Sequence, residues 1–284
     1  MSAPTTADTA VAARDRAATP RLTFARVARA EWIKTTSVRS TYWTAALTVA
    51  FTLLFAGGIM FAVTLAPPAD MPDPVGVITD NYGTTPSLGV LGLAFMFAYA
   101  LVAVFGVLLV GPERSSGLLS ATLAAVPRRS PVFAAKLLVS AVVAVVVGLV
   151  GAIASFLLVQ PELARFGLGS SLADPEVLQV LAGGAVFLAL IAMLSTAIGS
   201  LFRGTAAAMG AVLGLLIGAP ALVPIIPGIG AEIAGFLPSS AGMMLVQSAA
   251  QAGWQSILTG GLVLLGWTVG AVALGGVLFK RRDV

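Results

Sequence analysis

The chain has 284 residues, of which 58% are hydrophobic and only 10% charged, with a net charge of +4. Its mean hydropathy of +1.00 lies well above that of a soluble domain. It contains neither Cys nor His, which excludes disulfides, thiolate chemistry and Cys/His metal sites.

Residues 1–20, "MSAPTTADTAVAARDRAATP", lack the apolar stretch of a signal peptide and read as a disordered cytoplasmic tail. Residues 21–41 read as an interfacial elbow helix. Wound as a helix, this segment puts Phe24, Val27, Ala28 and Trp32 along one side and Arg26 and Arg29 on the other. Glu31 intrudes on the apolar side and Ile33 on the basic one. Such a segment can lie in the headgroup plane with its Arg residues near anionic lipid. Two readings stay open: an elbow that also touches a cytoplasmic partner, or a basic flank that only orients the first span.

Residues 42–284 read as a six-span transmembrane domain. Crossing a hydrocarbon core of about 30 Å takes roughly 20 apolar helical residues. Runs of that length recur at 42–66, 88–111, 132–160, 178–201, 205–227 and 256–279, and only Lys136 brings a charge into any of them. None shows the polar face of a soluble core helix. The fold class is therefore all-α and polytopic.

Two connections are more than loops. In "ERSSGLLSATLAAVPRRS", residues 113–130, Ser115 or Ser116 can cap a short helix in which Leu118, Leu119, Thr122, Leu123 and Val126 share a face. Pro127 stops it, and Arg128 and Arg129 come next. That apolar face must be buried by headgroups, by the chain's own helix ends or by another protein. The stretch 228–254 is long and nearly uncharged, with Glu232 near its start and a short helix expected from Pro238, Ser239 and Ser240 through Met243, Met244 and Val246. Too short to cross a bilayer and too apolar for water, it reads as an extracellular re-entrant hairpin, for packing or for function. Pro220, Pro224 and Pro227 are expected to break the preceding run near its outer end.

Lys/Arg counting orients the chain. Fifteen basic residues fall in the N-terminal segment, the second and fourth connections and the C-terminus, whereas the other connections hold only Arg165. Both termini are thus expected in the cytoplasm.

"AEWIKTTSVRSTYW", "GPERSSGLLSATLAAVPRRSPVFAAK" and "FLPSSAG" together resemble the permease subunits of type-two ABC transporters, the export-type membrane domains of bacteria. In the second stretch the family's pattern falls on Gly111, Glu113, Gly117, Leu123, Pro127, Arg128, Arg129 and Lys136. The resemblance implies a coupling helix over 113–126 that docks into a separate nucleotide-binding ATPase, through Glu113, Arg114, Gly117, Leu119, Leu123, Pro127, Arg128 and Arg129. It also implies an elbow helix carrying Arg29, Glu31, Trp32, Lys34 and Arg39 beside it, an external hairpin carrying Glu232, Pro238 and Ser239, and a second permease copy or homologue. The expected location is the bacterial plasma membrane, among lipid and without nucleic acid.

A phosphate-binding loop ends in Gly-Lys-Ser/Thr. The chain's lysines are Lys34, Lys136 and Lys280, and none follows Gly. ATP is therefore expected on the separate subunit, no cofactor on this chain, and no enzymatic activity of its own. Apolar or amphipathic cargo suits the uncharged spans. A secondary transporter would ordinarily need acids or His in the membrane, which the runs lack, although carbonyls of a broken helix can bind sodium. An intramembrane hydrolase lacks His, metal ligands and paired acids in the spans. A non-transporting membrane partner of an ATPase remains the other alternative.

Overall fold

A computed structural model describes residues 23–65, 73–115 and 129–281. The described residues form helices joined by short turns. In order these are α1 (Phe24–Ser37), α2 (Arg39–Leu65), α3 (Pro74–Tyr82), α4 (Pro86–Leu108), α5 (Gly111–Ser115), α6 (Arg129–Arg165) and α7 (Pro175–Gly199). They continue as α8 (Thr205–Leu213), a π-turn (Gly214–Gly218), α9 (Ala219–Leu222), a 3₁₀ turn (Val223–Ile225), α10 (Gly230–Gly235) and α11 (Pro238–Met243). A second 3₁₀ turn (Met244–Val246), α12 (Ala249–Ala252) and α13 (Trp254–Arg281) complete the described chain.

Proline sets several of the starts. It occupies the first turn of α3, α4, α7 and α11, where its missing N–H costs nothing and its fixed φ suits the helix. Asp73 completes the cap of α3 by accepting the Gly76 N–H at 2.8 Å. This helix lies where the sequence suggested only a connection.

Among the described residues, five helices are long and apolar enough to cross a membrane: Pro86–Glu113, Ser130–Arg165, Pro175–Gly199, Thr205–Ile225 and Trp254–Leu278. They coincide with the second to sixth apolar runs. The first run falls on α2, whose 27 residues hold no charge after Arg39. Helix α6 overshoots the expected run and carries Glu162 and Arg165 within it. Its 37 residues span about 55 Å, well beyond a hydrocarbon core.

Helix α4 is the hub, packing against α2, α6, α7 and α8. The core at this junction includes Phe95, Phe156, Phe187, Leu188, Ile191 and Leu194, all fully buried. At the crossing with α7, Gly106 lies against the Ala192 carbonyl and Ser195, so that any Cβ there would force the helices apart. Burial falls away outward. It covers 56% of the apolar window in Pro86–Glu113 but 17% in Thr205–Ile225 and 22% in Trp254–Leu278, which puts α8 and α13 on the perimeter.

Residues 230–252 fold back among these helices. Gly242 of α11 packs so tightly on Phe187, the midpoint of α7, that a Cβ has no room. Trp267 Nε1 donates to the Phe236 carbonyl at 2.9 Å, tying the segment to α13. The helix expected to run from Pro238 to Val246 tightens to 3₁₀ after Met243, and Gln247 is extended. Tertiary contact explains the early end: the Leu245 carbonyl lies against Gly183 of α7, an approach a continued α-helix would redirect.

Candidate functional site

Helix α1 buries Val27, Glu31 and Thr35, a stripe at i, i+4 and i+8. The stripe lies on α6, where Val27 packs with Val132 and Ala135. Phe24 and Trp32, expected on the apolar side, are 47% and 41% exposed, so the buried face is rotated from the one hydropathy suggested. Glu31 is the centre of the packed face rather than an intruder on it.

What permits a carboxylate there is Lys136 of α6, itself fully buried. Its Nζ lies 2.8 Å from Glu31 Oε2 and 2.6 Å from Glu113 Oε2. From α1, Lys34 Nζ contacts Glu31 Oε1 at 3.0 Å and also Glu113 Oε1. Two cations and two carboxylates thus alternate around a closed ring, each carboxylate giving one oxygen to each lysine. Lys136 donates an aligned hydrogen bond to Glu31, whereas its contact with Glu113 is between charges without hydrogen-bond alignment. The ring sums to zero charge, the condition under which ions are tolerated away from water. Around Lys34, burial is the largest single influence and works against the charged amine. The hydrogen bond and charge of Glu113, with those of Glu31, outweigh it and hold the pKa above the ordinary lysine value.

The backbone brings Glu113 into place. Helix α5 follows α4 after a turn at Leu109 and Val110. At its first residue a Cβ on Gly111 would stand 2.5 Å from Thr205 Oγ1, so glycine lets α5 close onto the start of α8. The Gly-x-Glu spacing therefore has two physical tasks, close approach and counter-charge.

Of the predicted site residues, Glu31, Lys34 and Glu113 come together. Arg29, Trp32 and Arg39 are exposed and stand outside the ring. Arg114 continues α5 and Arg129 opens α6. Gly117, Leu119, Leu123, Pro127 and Arg128 lie outside the described residues, as does most of the helix expected over 113–126. Lys136 is the member that sequence reasoning left off the site. Its signal was present, since it was the one charge inside an apolar run.

A second polar locus sits at mid-bundle. Pro220 has no N–H to give the Leu216 carbonyl four residues earlier, and the helix widens into the π-turn Gly214–Gly218 there. The break thus begins before the prolines themselves. Ser239 Oγ donates to the orphaned carbonyl at 2.6 Å, and the Tyr99 hydroxyl donates to it at 3.5 Å. Pro238 is buried at the head of α11 and Glu232 is exposed on α10, neither touching the ring. Gln179, another residue missed from sequence, holds the hairpin's end: its Nε2 donates to the Gln247 carbonyl at 3.0 Å and its Oε1 accepts the Ala249 N–H at 2.9 Å. A lone amide near the start of an apolar helix was the clue.

Among the described residues, no group of three or more His, Cys, Asp or Glu could hold a metal ion. The two buried carboxylates face lysines, an arrangement suited to fastening helices.

Residues 26–284 match the family model described as ABC-2 family transporter protein. No curated protein matches the chain.

Proposed function

Because the chain belongs to the ABC-2 transporter family, whose members are multi-pass membrane permease subunits that work with a separate ATP-binding subunit, we propose that it exports apolar or amphipathic cargo by transmitting force through the charged ring. The ATPase docks on residues 113–126, beside the elbow helix α1. The observation that carries this reading is the ring itself, which fastens α1 and α5 to α6, the helices that precede and follow residues 116–128 in the chain. Shearing the ring would unpair a buried charge at a cost of about 3–5 kcal/mol. The three helix ends therefore move as one body, and α4, joined to α5 by the two-residue turn at Leu109 and Val110, carries the displacement into the core.

The permease spans the bacterial plasma membrane six times, α2 being the first span, with both termini in the cytoplasm. Supporting this, Arg26, Arg29, Lys34, Arg39, Lys136 and Arg203 gather at the ring's end of the helices, whereas Asp73, Asp80, Glu162, Asp174 and Glu232, with Arg165 beside them, lie between or at the far ends of the long helices. The hairpin 228–254 is external and re-entrant. A second permease copy or homologue completes the transporter, and this chain holds no nucleotide or other cofactor.

Replacing Leu119 and Leu123 by Asp tests the docking. The expected result is a permease that inserts normally but no longer recovers its ATPase from membranes and no longer transports, because unpaired charges enter the contact. Normal ATPase recovery and transport would overturn the assignment of 113–126 as the coupling element.

A further inference from the structure

Beside the ring, between α1, the start of α2 and the end of α4, lies a cavity of about 190 Å³. Its floor is apolar, formed by Phe105, Leu108 and Leu109, while Lys34, Thr35 and Glu113 supply polar groups along its wall. Thr35 is only 3% exposed, and its hydroxyl has no hydrogen-bond partner. A buried hydroxyl left unmatched is uncommon and asks for a ligand or water. Lys34 spends two of its three N–H donors on Glu31 and Glu113, which leaves one for an anion. Glu113 retains acceptor capacity beyond its two lysine contacts. A cationic donor therefore stands next to a carboxylate above an apolar floor, with the unmatched Thr35 hydroxyl buried behind the cavity wall.

The surroundings indicate where the occupant comes from. Tyr42 and Trp43, a few residues along α2, are 63% and 69% exposed, as expected of aromatic side chains at the headgroup level of a bilayer. The volume is that of about six water molecules, enough for a lipid headgroup whose acyl chains run outward along the helices.

We propose that this cavity binds one resident phospholipid with a zwitterionic headgroup that bears a primary ammonium, as in phosphatidylethanolamine. The phosphate takes the remaining Lys34 donor, the ammonium donates to Glu113 and to a Thr35 hydroxyl turned into the cavity by rotation about its χ1, and an acyl chain covers Leu108 and Leu109. A choline headgroup lacks N–H donors, and a glycerol headgroup lacks the cation. Such a lipid site goes beyond the transport reading and does not depend on it.

The test uses the purified full-length chain in detergent, titrated with mixed micelles of phosphatidylethanolamine, phosphatidylcholine or phosphatidylglycerol, with bound lipid counted by native mass spectrometry. The ethanolamine lipid is expected to bind at one site about tenfold more tightly than the other two, the equivalent of about 1.4 kcal/mol. Thr35→Val, which keeps the side chain's shape, and Leu108→Trp, which fills the cavity, should each remove that preference. Thr35→Val decides the matter alone if the tryptophan variant does not fold. Equal binding of all three lipids, a preference for phosphatidylglycerol, or an unchanged ethanolamine preference in Thr35→Val would overturn the proposal.

Discussion

Lys136→Met puts the ring to a quantitative test. Lys136 is fully buried, and the side chains of Glu31 and Glu113 are 4% and 11% exposed, so water can do little for whatever loses its partner. The substitution leaves two carboxylates sharing Lys34, and removal of one partner from a buried ionic group costs about 3–5 kcal/mol. For a chain of this size each kcal/mol lowers the unfolding midpoint by about 2 °C or more, so the variant should melt at least about 6 °C lower. Adding Glu113→Gln removes the stranded charge and leaves the 3.0 Å Lys34–Glu31 pair intact. The double variant should therefore recover a large part of the loss, with a coupling of about 2 kcal/mol. Midpoints are to be compared at one heating rate in one detergent, because unfolding of such a protein is commonly irreversible. A Lys136→Met midpoint within about 1 °C of the parent, or strictly additive single effects, would refute the reasoning.

Ser239→Ala should lower the midpoint by about 2–4 °C by leaving the Leu216 carbonyl only the long Tyr99 contact, and by clearly less in a Pro220→Ala background, where an alanine N–H can serve that carbonyl; equal losses in both would disprove the role of Ser239. Since the pKa of Lys34 is raised in the folded chain, its stabilisation is complete below the ordinary lysine value near pH ~10.4 and is lost as pH rises through the higher folded value. Melting midpoints at rising pH should therefore show a decline above pH ~10.4 that is absent in Lys34→Met. Because the parent has no Cys, single cysteines at positions 73, 174 and 232 should react with an impermeant maleimide on intact cells and one at 203 only after permeabilisation; the reverse pattern would invert the proposed orientation.

Hydropathy is a local property, which is why the second to sixth apolar runs could be placed from sequence to within a few residues of the helices that contain them. Helix α3 escaped because nine residues with interspersed polar groups make no run, although Asp73 before Pro74 was a readable start signal. The ring was legible only in fragments. Glu31 on an apolar face and Lys136 in an apolar run each looked like an exception. Their partnership joins residues 105 positions apart, and no local pattern encodes such a distance. The Pro220 break was legible, but its consequences were not. The donor that replaces the missing N–H comes from Ser239, in a segment whose fold-back among the helices is a tertiary fact.

Helix α4 joins these two polar loci. Tyr99 and Glu113 are fourteen residues apart along α4 and α5, about 21 Å if the rise is helical throughout. One end is held by two ionic contacts to Glu113. The other reaches the Leu216 carbonyl through a Tyr99 hydrogen bond that is already long at 3.5 Å. Ser239, at 2.6 Å, grips the same carbonyl far more closely. If the ATPase subunit displaces α5, the ring resists shear, and the first contact to yield is the stretched one between Tyr99 and Leu216. The carbonyl stays occupied by Ser239 when that happens, so α4 can slide past α8 without exposing an unpaired backbone group. A helix broken by proline and repaired from a neighbouring segment thus lets the Tyr99 contact open while the Leu216 carbonyl keeps a donor.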